Sequence, residues 1–502
     1  MREGSGDAPP RGKGQPGGPA RGQSPGGPAR GKSPGGKPHV GKSEGAKPQG
    51  AKSKGAKSEG AKPQGAGGRA KGAGPSGGRR EREAPGMAAR RGAVRLIADV
   101  LDRGRMLDEA GLAGLPPAER AEAHGLADTA LRHLGQIDSL LAELVERAPA
   151  PPISHILRLM AAELLYAGRP AHAAVDSAVR LAQGVPRGER LAKLVNAVGR
   201  RLGRSTPQPA APVVNLPAWL AERLAADWGD AALDAMAKAH LAPAPHDLSL
   251  RTPADREALA AEVDGLLLPS GSVRVPGRPQ VTALPGYAEG AWWVQDAAAA
   301  LPARLLSPAP GARVLDLCAA PGAKTLQLAA MGAEVTALDI SARRVERLHE
   351  NLARTGLAAR IVVADALDWS PPAPFDAILI DAPCSATGTI RRHPDLPHRL
   401  DPASLDDLTR LQGALLDRAF AWLAPGGRLV FATCSLFRAE GEDQAAAFLA
   451  RTPAARRVAL DPADAALPPG AVDDRGDLRT LSSMLPEIGG LDGFFACRIE
   501  RT

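Results

Sequence analysis

From about residue 88 the apolar positions of the chain recur at helical spacing. Val94, Ile97, Val100 and Leu101 form one such run, and Ile153, Ile156, Leu157, Met160 and Leu164 another. Proline and glycine break the runs at Leu115-Pro116-Pro117, Ala148-Pro149-Ala150-Pro151-Pro152 and Gly168-Arg169-Pro170. The pattern predicts roughly five to seven helices and little strand, hence a compact all-helical domain over 88–205. The stretch Ser205-Thr206-Pro207-Gln208-Pro209-Ala210-Ala211-Pro212 then reads as a linker.

Residues 213–290 mix the two periods. Trp219, Leu220, Leu224 and Trp228 suggest a helix, while Leu248-Ser249-Leu250-Arg251 and Gly271-Ser272-Val273-Arg274-Val275 suggest short strands. A small α/β subdomain is expected, with no job legible in the pattern. Over 291–502 strand and helix alternate, which implies a largely parallel sheet with crossovers, an α/β Rossmann-like domain. Expected strands cover 314–317, 334–340, 360–364, 377–380, 428–432 and 494–499; the clearest helices cover 342–355 and 404–423. In such a fold the ligand lies beyond the carboxyl ends of the strands, where strand order reverses.

Residues 1–87 show neither period. They are rich in Gly, Pro, Lys and Ser, with near-repeats such as Gly45-Ala46-Lys47-Pro48-Gln49-Gly50 and Ser24-Pro25-Gly26-Gly27-Pro28-Ala29-Arg30-Gly31. With no Phe, Trp or Tyr, such a tail cannot offset its ordering entropy and is expected to be disordered. It also carries the basic charge. Residues 1–90 hold 19 Lys+Arg against 6 Asp+Glu, a net +13, so the formal +8 of the whole chain leaves −5 for the rest. Such a segment reads either as a polycation that holds RNA through its phosphates or as a dispensable extension ahead of a start at Met87-Ala88-Ala89-Arg90-Arg91. Four cysteines with no CxxC pair argue against a disulfide framework or structural zinc and fit a reducing cytosol. No apolar run is long enough to span a membrane and no secretory h-region opens the chain. A soluble, cytoplasmic protein without membrane or metal partners is expected.

Three segments at expected strand ends carry chemistry. Leu315-Asp316-Leu317-Cys318-Ala319-Ala320-Pro321-Gly322-Ala323-Lys324-Thr325 reads as strand, glycine turn and helix. The turn lets backbone approach a ligand, and the helix start offers free N–H groups. Asp339 ends the next strand, 17 residues after Gly322, where a carboxylate accepts ribose hydroxyls; Asp365 follows the third strand and could take an adenine amino group. Each alone would more often be a cap, but together they suggest an adenosine cofactor. This turn reads Gly322-Ala323-Lys324-Thr325 and lacks the Gly-Lys-Ser/Thr of a phosphate loop, which disfavours ATP there.

The other two segments, Asp381-Ala382-Pro383-Cys384-Ser385 and Ala432-Thr433-Cys434-Ser435, each present a thiol at a strand tip. A free cysteine is usually a small buried hydrophobe; Cys497 fits that description and Cys318 reads as packing within the turn. A pair at adjacent tips points instead to covalent catalysis on an electrophilic ring. Cytosine C5 becomes nucleophilic when a thiolate adds at C6, and a base must then remove the C5 proton so that the thiol can leave. Cys434, Cys384 and Asp381 supply a nucleophile, a proton acceptor and a carboxyl for N3 and the exocyclic amine.

Residues 318–325, the segment from Asp381 to Gly388, and Thr433-Cys434-Ser435 together resemble the signature motifs of RNA cytosine-C5 methyltransferases of the Sun (nucleolar-protein) family. Ser385-Ala386-Thr387-Gly388-Thr389-Ile390-Arg391-Arg392-His393-Pro394-Asp395 and Asp492-Gly493-Phe494-Phe495 resemble its bacterial small-subunit branch. Arg169-Pro170-Ala171-His172-Ala173-Ala174-Val175-Asp176 and Leu194-Val195-Asn196-Ala197-Val198 resemble the all-helical RNA-binding factor NusB, although His172 and Asn196 serve equally well as cap or packing residues.

The resemblance covers nearly everything after residue 88. It implies S-adenosyl-L-methionine held by Cys318, Ala319, Ala320, Pro321, Gly322, Ala323, Lys324, Asp339, Asp365 and Asp381. It also implies Cys434 as nucleophile, Cys384 as the group assisting proton removal and release, and one cytosine of 16S ribosomal RNA, position 967, as substrate; a monomer is expected. Ala323 departs from the family's usual second glycine. Arg391 and Arg392 are expected to meet phosphates flanking an unstacked base. Rival readings are an inert RNA-binding assembly factor and methylation of another rRNA or tRNA cytosine. An amino-methylating enzyme would tend to carry Asn/Asp-Pro-Pro-Tyr/Phe where this chain has Asp-Ala-Pro-Cys.

Overall fold

The computed structural model describes residues 86–186, 188–204, 208–464 and 466–502. The expected disordered tail lies outside these residues except for its last two positions, as do residues 205–207 of the linker. Six helices follow: α1 (Met87–Leu101), α2 (Pro117–Arg132), α3 (Leu134–Leu144), α4 (Pro151–Leu165), α5 (Ala171–Gln183) and α6 (Glu189–Leu202). Proline opens α2 and α4, where its missing N–H costs nothing. The residues at helical spacing form the core: Ile97, Val100, Ile153, Ile156, Leu157 and Met160 are all buried, with Val94, Leu101 and Leu164 packed at its margin. Arg90 and Glu163 pair inside this layer at 2.6 Å.

Two further helices, α7 (Ala218–Trp228) and α8 (Asp230–His240), do not belong to that layer. Leu220, Leu224, Leu233 and Met236 pack instead on Ile390, Leu396, Leu436 and Phe437 of the loops that follow the two cysteine segments. Arg132 of α2 donates to the His240 carbonyl at 2.9 Å, fastening the helical layer to α8.

A small antiparallel sheet comes next, in the order β2-β3-β1-β4. It is built from β1 (His246–Leu250), β2 (Leu266–Leu267), β3 (Val273–Val275) and β4 (Trp292–Val294), with α9 (Arg256–Glu262) beside β3. Its fourth strand lies past residue 290 and buries Trp292 and Trp293.

The last part runs α10 (Ala297–Leu306), β5 (Arg313–Leu317), α11 (Ala323–Ala330), β6 (Glu334–Asp339), α12 (Ala342–Thr355), β7 (Arg360–Val363), β8 (Phe375–Asp381), α13 (Ser404–Ala421), β9 (Leu423–Thr433), α14 (Glu442–Arg451), β10 (Ala455–Arg457), β11 (Leu478–Thr480) and β12 (Phe494–Arg501). The sheet order is β10-β12-β9-β8-β5-β6-β7, with β11 on β12; β5 to β9 are parallel and β12 is antiparallel to β9. Covered on both faces, the central strands are continuous apolar runs: Leu315, Leu317, Ile378, Leu379, Ile380, Leu429, Val430 and Phe431 show no exposed surface. Strand order reverses between β5 and β8, so the crevice at their carboxyl ends is the expected ligand position.

Candidate active site

The turn after β5 is strained into shape. Cys318 takes φ +65° and Gly322 φ +107°. A left-handed conformation costs a residue with a side chain about 1–2 kcal/mol, and such strain gathers at functional sites. At Gly322 the room is also missing, since a Cβ there would lie 2.2 Å from Leu348 Cδ1. This turn starts α11, whose first residues bury Lys324 and Thr325. Thr325 Oγ1 donates to Asp316 Oδ2 at 2.6 Å, while Asp316 Oδ1 is buried without a partner. Burial pushes the Asp316 carboxyl up to about 7, opposed by that hydrogen bond.

The ladder between β8 and β9 pairs Asp381 with Ala432, and its last bond is Ala382 N–H to the Ala432 carbonyl at 2.9 Å. Both cysteines lie just past this point. Their sulfurs, Cys384 Sγ and Cys434 Sγ, are 3.5 Å apart. The hydrogen bond with Cys434, and then burial, hold the Cys384 thiol well above the ordinary range. Lys324 Nζ donates to Asp381 Oδ2 at 2.8 Å. Burial alone would lower the ammonium, but Asp381 first, and Cys434 among smaller contributions, raise it above its ordinary value. The two thiols, the carboxylate and the ammonium therefore form one cluster at the tips of β8, β9 and α11. Beyond Cys384 the chain takes a second left-handed residue, Ala386 at φ +57°, and Gly388 N–H returns to the Cys434 carbonyl at 2.9 Å.

Asp339, 1% exposed, accepts from Ala320 N–H at 3.0 Å, Ser341 N–H at 2.8 Å and Arg344 Nη2 at 2.8 Å. Asp365 accepts from Leu367 N–H at 2.9 Å, the cap that its position in the sequence also allowed. Within two positions of these carboxylates in the chain are three apolar side chains open to solvent: Ile340 at 63%, Val363 at 49% and Leu367 at 39% exposed. Exposed apolar groups beside two carboxylates, next to a glycine turn, fit a nucleoside: a flat ring on the apolar faces and, where the half-exposed Arg344 gives up its bonds, ribose hydroxyls on Asp339. The donor set therefore suits S-adenosyl-L-methionine. The sequence reading missed Ile340 and Leu367, whose signal is an apolar residue directly after, or two after, an acidic strand end. The Ala323 methyl packs against the cluster around Leu348 and Leu352.

The family model described as 16S rRNA methyltransferase RsmB/F matches residues 303–500. A protein of Xanthomonas campestris pv. campestris named ribosomal RNA small subunit methyltransferase B is 39% identical over 400 residues, 74% of this chain and 90% of that one. Its namesake in Pseudomonas putida is 36% identical over 448 residues, 82% of this chain and 98% of that one. The chain belongs to the ribosomal RNA small subunit methyltransferase B family. The NusB family model matches residues 87–204, the span of α1 to α6. For the fold, the crystal structure of PH0851 aligns with TM-score 0.65 at 23% identity, covering 83% of this chain and 99% of that one. As a methyltransferase B family member, the chain is a ribosomal RNA methyltransferase with a helical NusB domain ahead of its catalytic sheet.

Arg391 and Arg392 are not placed to meet phosphates, which corrects the expectation from their sequence. Arg391 is 1% exposed and bonds Asp492 at 3.0 Å, Asp296 at 3.3 Å and the Gly489 carbonyl at 2.5 Å. Arg392 bonds Asp296 at 2.5 Å, Asp492 at 2.8 Å and the Pro245 carbonyl. Two guanidinium groups and two carboxylates thus satisfy one another inside the protein, where an unpaired charge would be costly. Desolvation and the neighbouring Asp296 push Asp492 up to about 6, with the arginines opposing. The next acidic residue, Asp395, accepts from Leu107 N–H at 3.1 Å, so the same segment also touches the NusB layer. In that layer His172 and Asn196 line one groove of about 690 Å³ between α5 and α6, with Asp176, Lys193, Arg200 and Arg204.

Proposed function

We propose that this ribosomal RNA methyltransferase modifies C5 of a cytosine in 16S ribosomal RNA, position 967 by the family resemblance, through a covalent adduct between Cys434 Sγ and C6. The observation that carries the reading is the pair of thiols 3.5 Å apart beside the Lys324–Asp381 pair. S-adenosyl-L-methionine, when bound by the Cys318–Lys324 turn with Asp339 and Asp365, supplies the methyl group. Ile340 and Leu367 would bound its adenine.

The protein's own groups do the rest. Cys434 forms the Sγ–C6 bond, which places electron density on C5. Asp381, bonded to the Lys324 ammonium, accepts from the exocyclic amine as charge shifts through the ring, and Lys324 balances the developing negative charge. The C5 proton then passes to the Cys384 sulfur, once that thiol has released its own proton to solvent, while the Sγ–C6 bond breaks and its electron pair returns to Cys434. Cys384, 3.5 Å from Cys434, is the group that assists this elimination. The groove between α5 and α6, with Lys193, Arg200 and Arg204, offers cations to an RNA backbone. Work on ribosomal RNA, with four cysteines and no CxxC pair, supports a cytoplasmic enzyme.

Incubation of single variants with ribosomal RNA and cofactor tests the assignment. Cys384→Ala should accumulate a denaturation-resistant protein–RNA adduct, and Cys434→Ala should form none. Methylation by Cys434→Ala, or an adduct mapped to Cys384, reverses the two roles; mapping to a different cytosine or RNA changes the substrate and leaves the chemistry.

A further inference from the structure

Both thiols stand beyond the last ladder bond of their strands, so the sheet does not fix their separation. One backbone bond, Gly388 N–H to the Cys434 carbonyl, crosses the gap, and so does a buried carboxylate. Glu440 has no exposed surface and sits in the single helical turn Arg438–Glu440 that follows the Cys434 loop. Its Oε1 accepts from Ser385 N–H at 2.9 Å and Gln412 Nε2 at 3.1 Å. Its Oε2 accepts from Ser385 Oγ and Ser435 Oγ, both at 2.5 Å.

Ser385 directly follows Cys384, and Ser435 directly follows Cys434. Gln412, on α13, also donates to the carbonyl of Pro383, the residue before Cys384, at 2.8 Å. The two serine hydroxyls lie 3.0 Å apart, and Leu436 N–H donates to Thr387 Oγ1 at 2.8 Å. Among the described residues Glu440 forms no ion pair, so its charge is held by hydrogen bonds from the two cysteine loops and α13. Four donors converge on four lone-pair directions, which an ionised carboxylate satisfies and a carboxamide does not. An uncompensated buried charge would be expensive, and charge-assisted bonds are the strong ones.

We propose that Glu440 is a positioning residue: it ties the loops after β8 and β9 together and thereby sets the distance between Cys384 and Cys434. The proposal rests on the reading of those two cysteines as the working pair. It adds a group that touches no substrate and acts only through Ser385, Ser435 and Gln412.

The full-length protein can report the distance without RNA or cofactor. Diamide, a diazene oxidant, takes two electrons and two protons from adjacent thiols, becoming a hydrazine as the S–S bond forms. The rate of Cys384–Cys434 closure, followed by mass spectrometry with Cys384→Ala and Cys434→Ala as blanks, measures how often the sulfurs meet. Glu440→Gln should close about tenfold more slowly, and its kcat for methyl transfer should fall by a similar or larger factor while KM for RNA changes less than about twofold. Ser385→Ala and Ser435→Ala should each show a smaller loss in the same direction. Glu163→Gln, which breaks a buried pair in the NusB layer, should lower thermal stability and leave closure unchanged.

A folded Glu440→Gln protein that closes at the wild-type rate overturns the proposal. Should that variant not fold, wild-type closure in both serine variants overturns it instead. Slowed closure together with no adduct in Cys384→Ala would reject the covalent reading and keep Glu440 as the tie between the loops.

Discussion

Lys324 and Asp381 meet at 2.8 Å across the point where strand order reverses, one from the first turn of α11 and the other from the end of β8. The two are unequally covered: the lysine side chain is 9% exposed and the aspartate 32%. Removing either partner therefore has a different cost.

Lys324→Met leaves a carboxylate that water can reach, so the expected destabilisation is small, about 1 kcal/mol. Asp381→Asn leaves a buried ammonium without its counter-charge and should cost roughly 3 kcal/mol. Both should lower kcat by about two orders of magnitude. Urea unfolding of the two variants measures the asymmetry; equal losses would mean that the pair is solvated alike on both sides.

Asp316 predicts a pH dependence. Its folded-state value is about 7 against an ordinary 3.8, so the folded state holds a proton that the unfolded state releases. Its contribution is fully present below about pH 4 and is lost as pH rises through about 7, a loss on the order of a few kcal/mol. Asp316→Asn stays neutral and should flatten the fall in stability between pH 4 and 7. Unfolding curves at several pH values check the slope.

Gly388 lies between two loops, donating its N–H to the Cys434 carbonyl while its own carbonyl accepts from Gly493 N–H, each at 2.9 Å. A Cβ there would stand 1.9 Å from the Gly493 carbonyl oxygen, a backbone atom that cannot swing away. Gly388→Ala should cost about 2–4 kcal/mol and most of the activity. Gly426→Ala, whose Cβ meets nothing within 4 Å but whose φ is +74°, should cost only about 1–2 kcal/mol and spare activity. Paired melting and methylation assays separate the two.

Arg391→Met should destabilise by roughly 3–5 kcal/mol, because Asp296 and Asp492 are then buried with a single cation. Under conditions where the variant is folded, the salt dependence of RNA binding should match the wild type, since no phosphate contact is lost. A shallower salt slope would return the arginine to the RNA surface.

Much of this was legible in the sequence because the central strands are long apolar runs and the chemistry sits at their ends. Strands expected over 314–317 and 377–380 differ from β5 and β8 by a few terminal residues. β10 and β11 escaped notice because three residues are too few to show a period. Arg391 and Arg392 misled for another reason: nothing local marks a partner 95 to 101 positions away, so a basic pair in a motif loop looks like surface. Glu440 was silent as well. An acidic residue in a short turn gives no sign that a serine 55 positions away will join its neighbour Ser435 on it.

The four-charge cluster around Arg391 limits how this protein can be cut and rejoined. The methyltransferase family model begins its match at residue 303, inside α10, whereas Asp296 caps the start of that helix. A graft begun at the edge of the model would carry both arginines and only Asp492, placing an excess positive charge in a dry pocket beside the reactive loop. It would also leave the helix without its first turn. The transplantable unit must begin ahead of Asp296, and shuffling between relatives at the later boundary should yield catalytic halves that assemble poorly, however well their motifs agree.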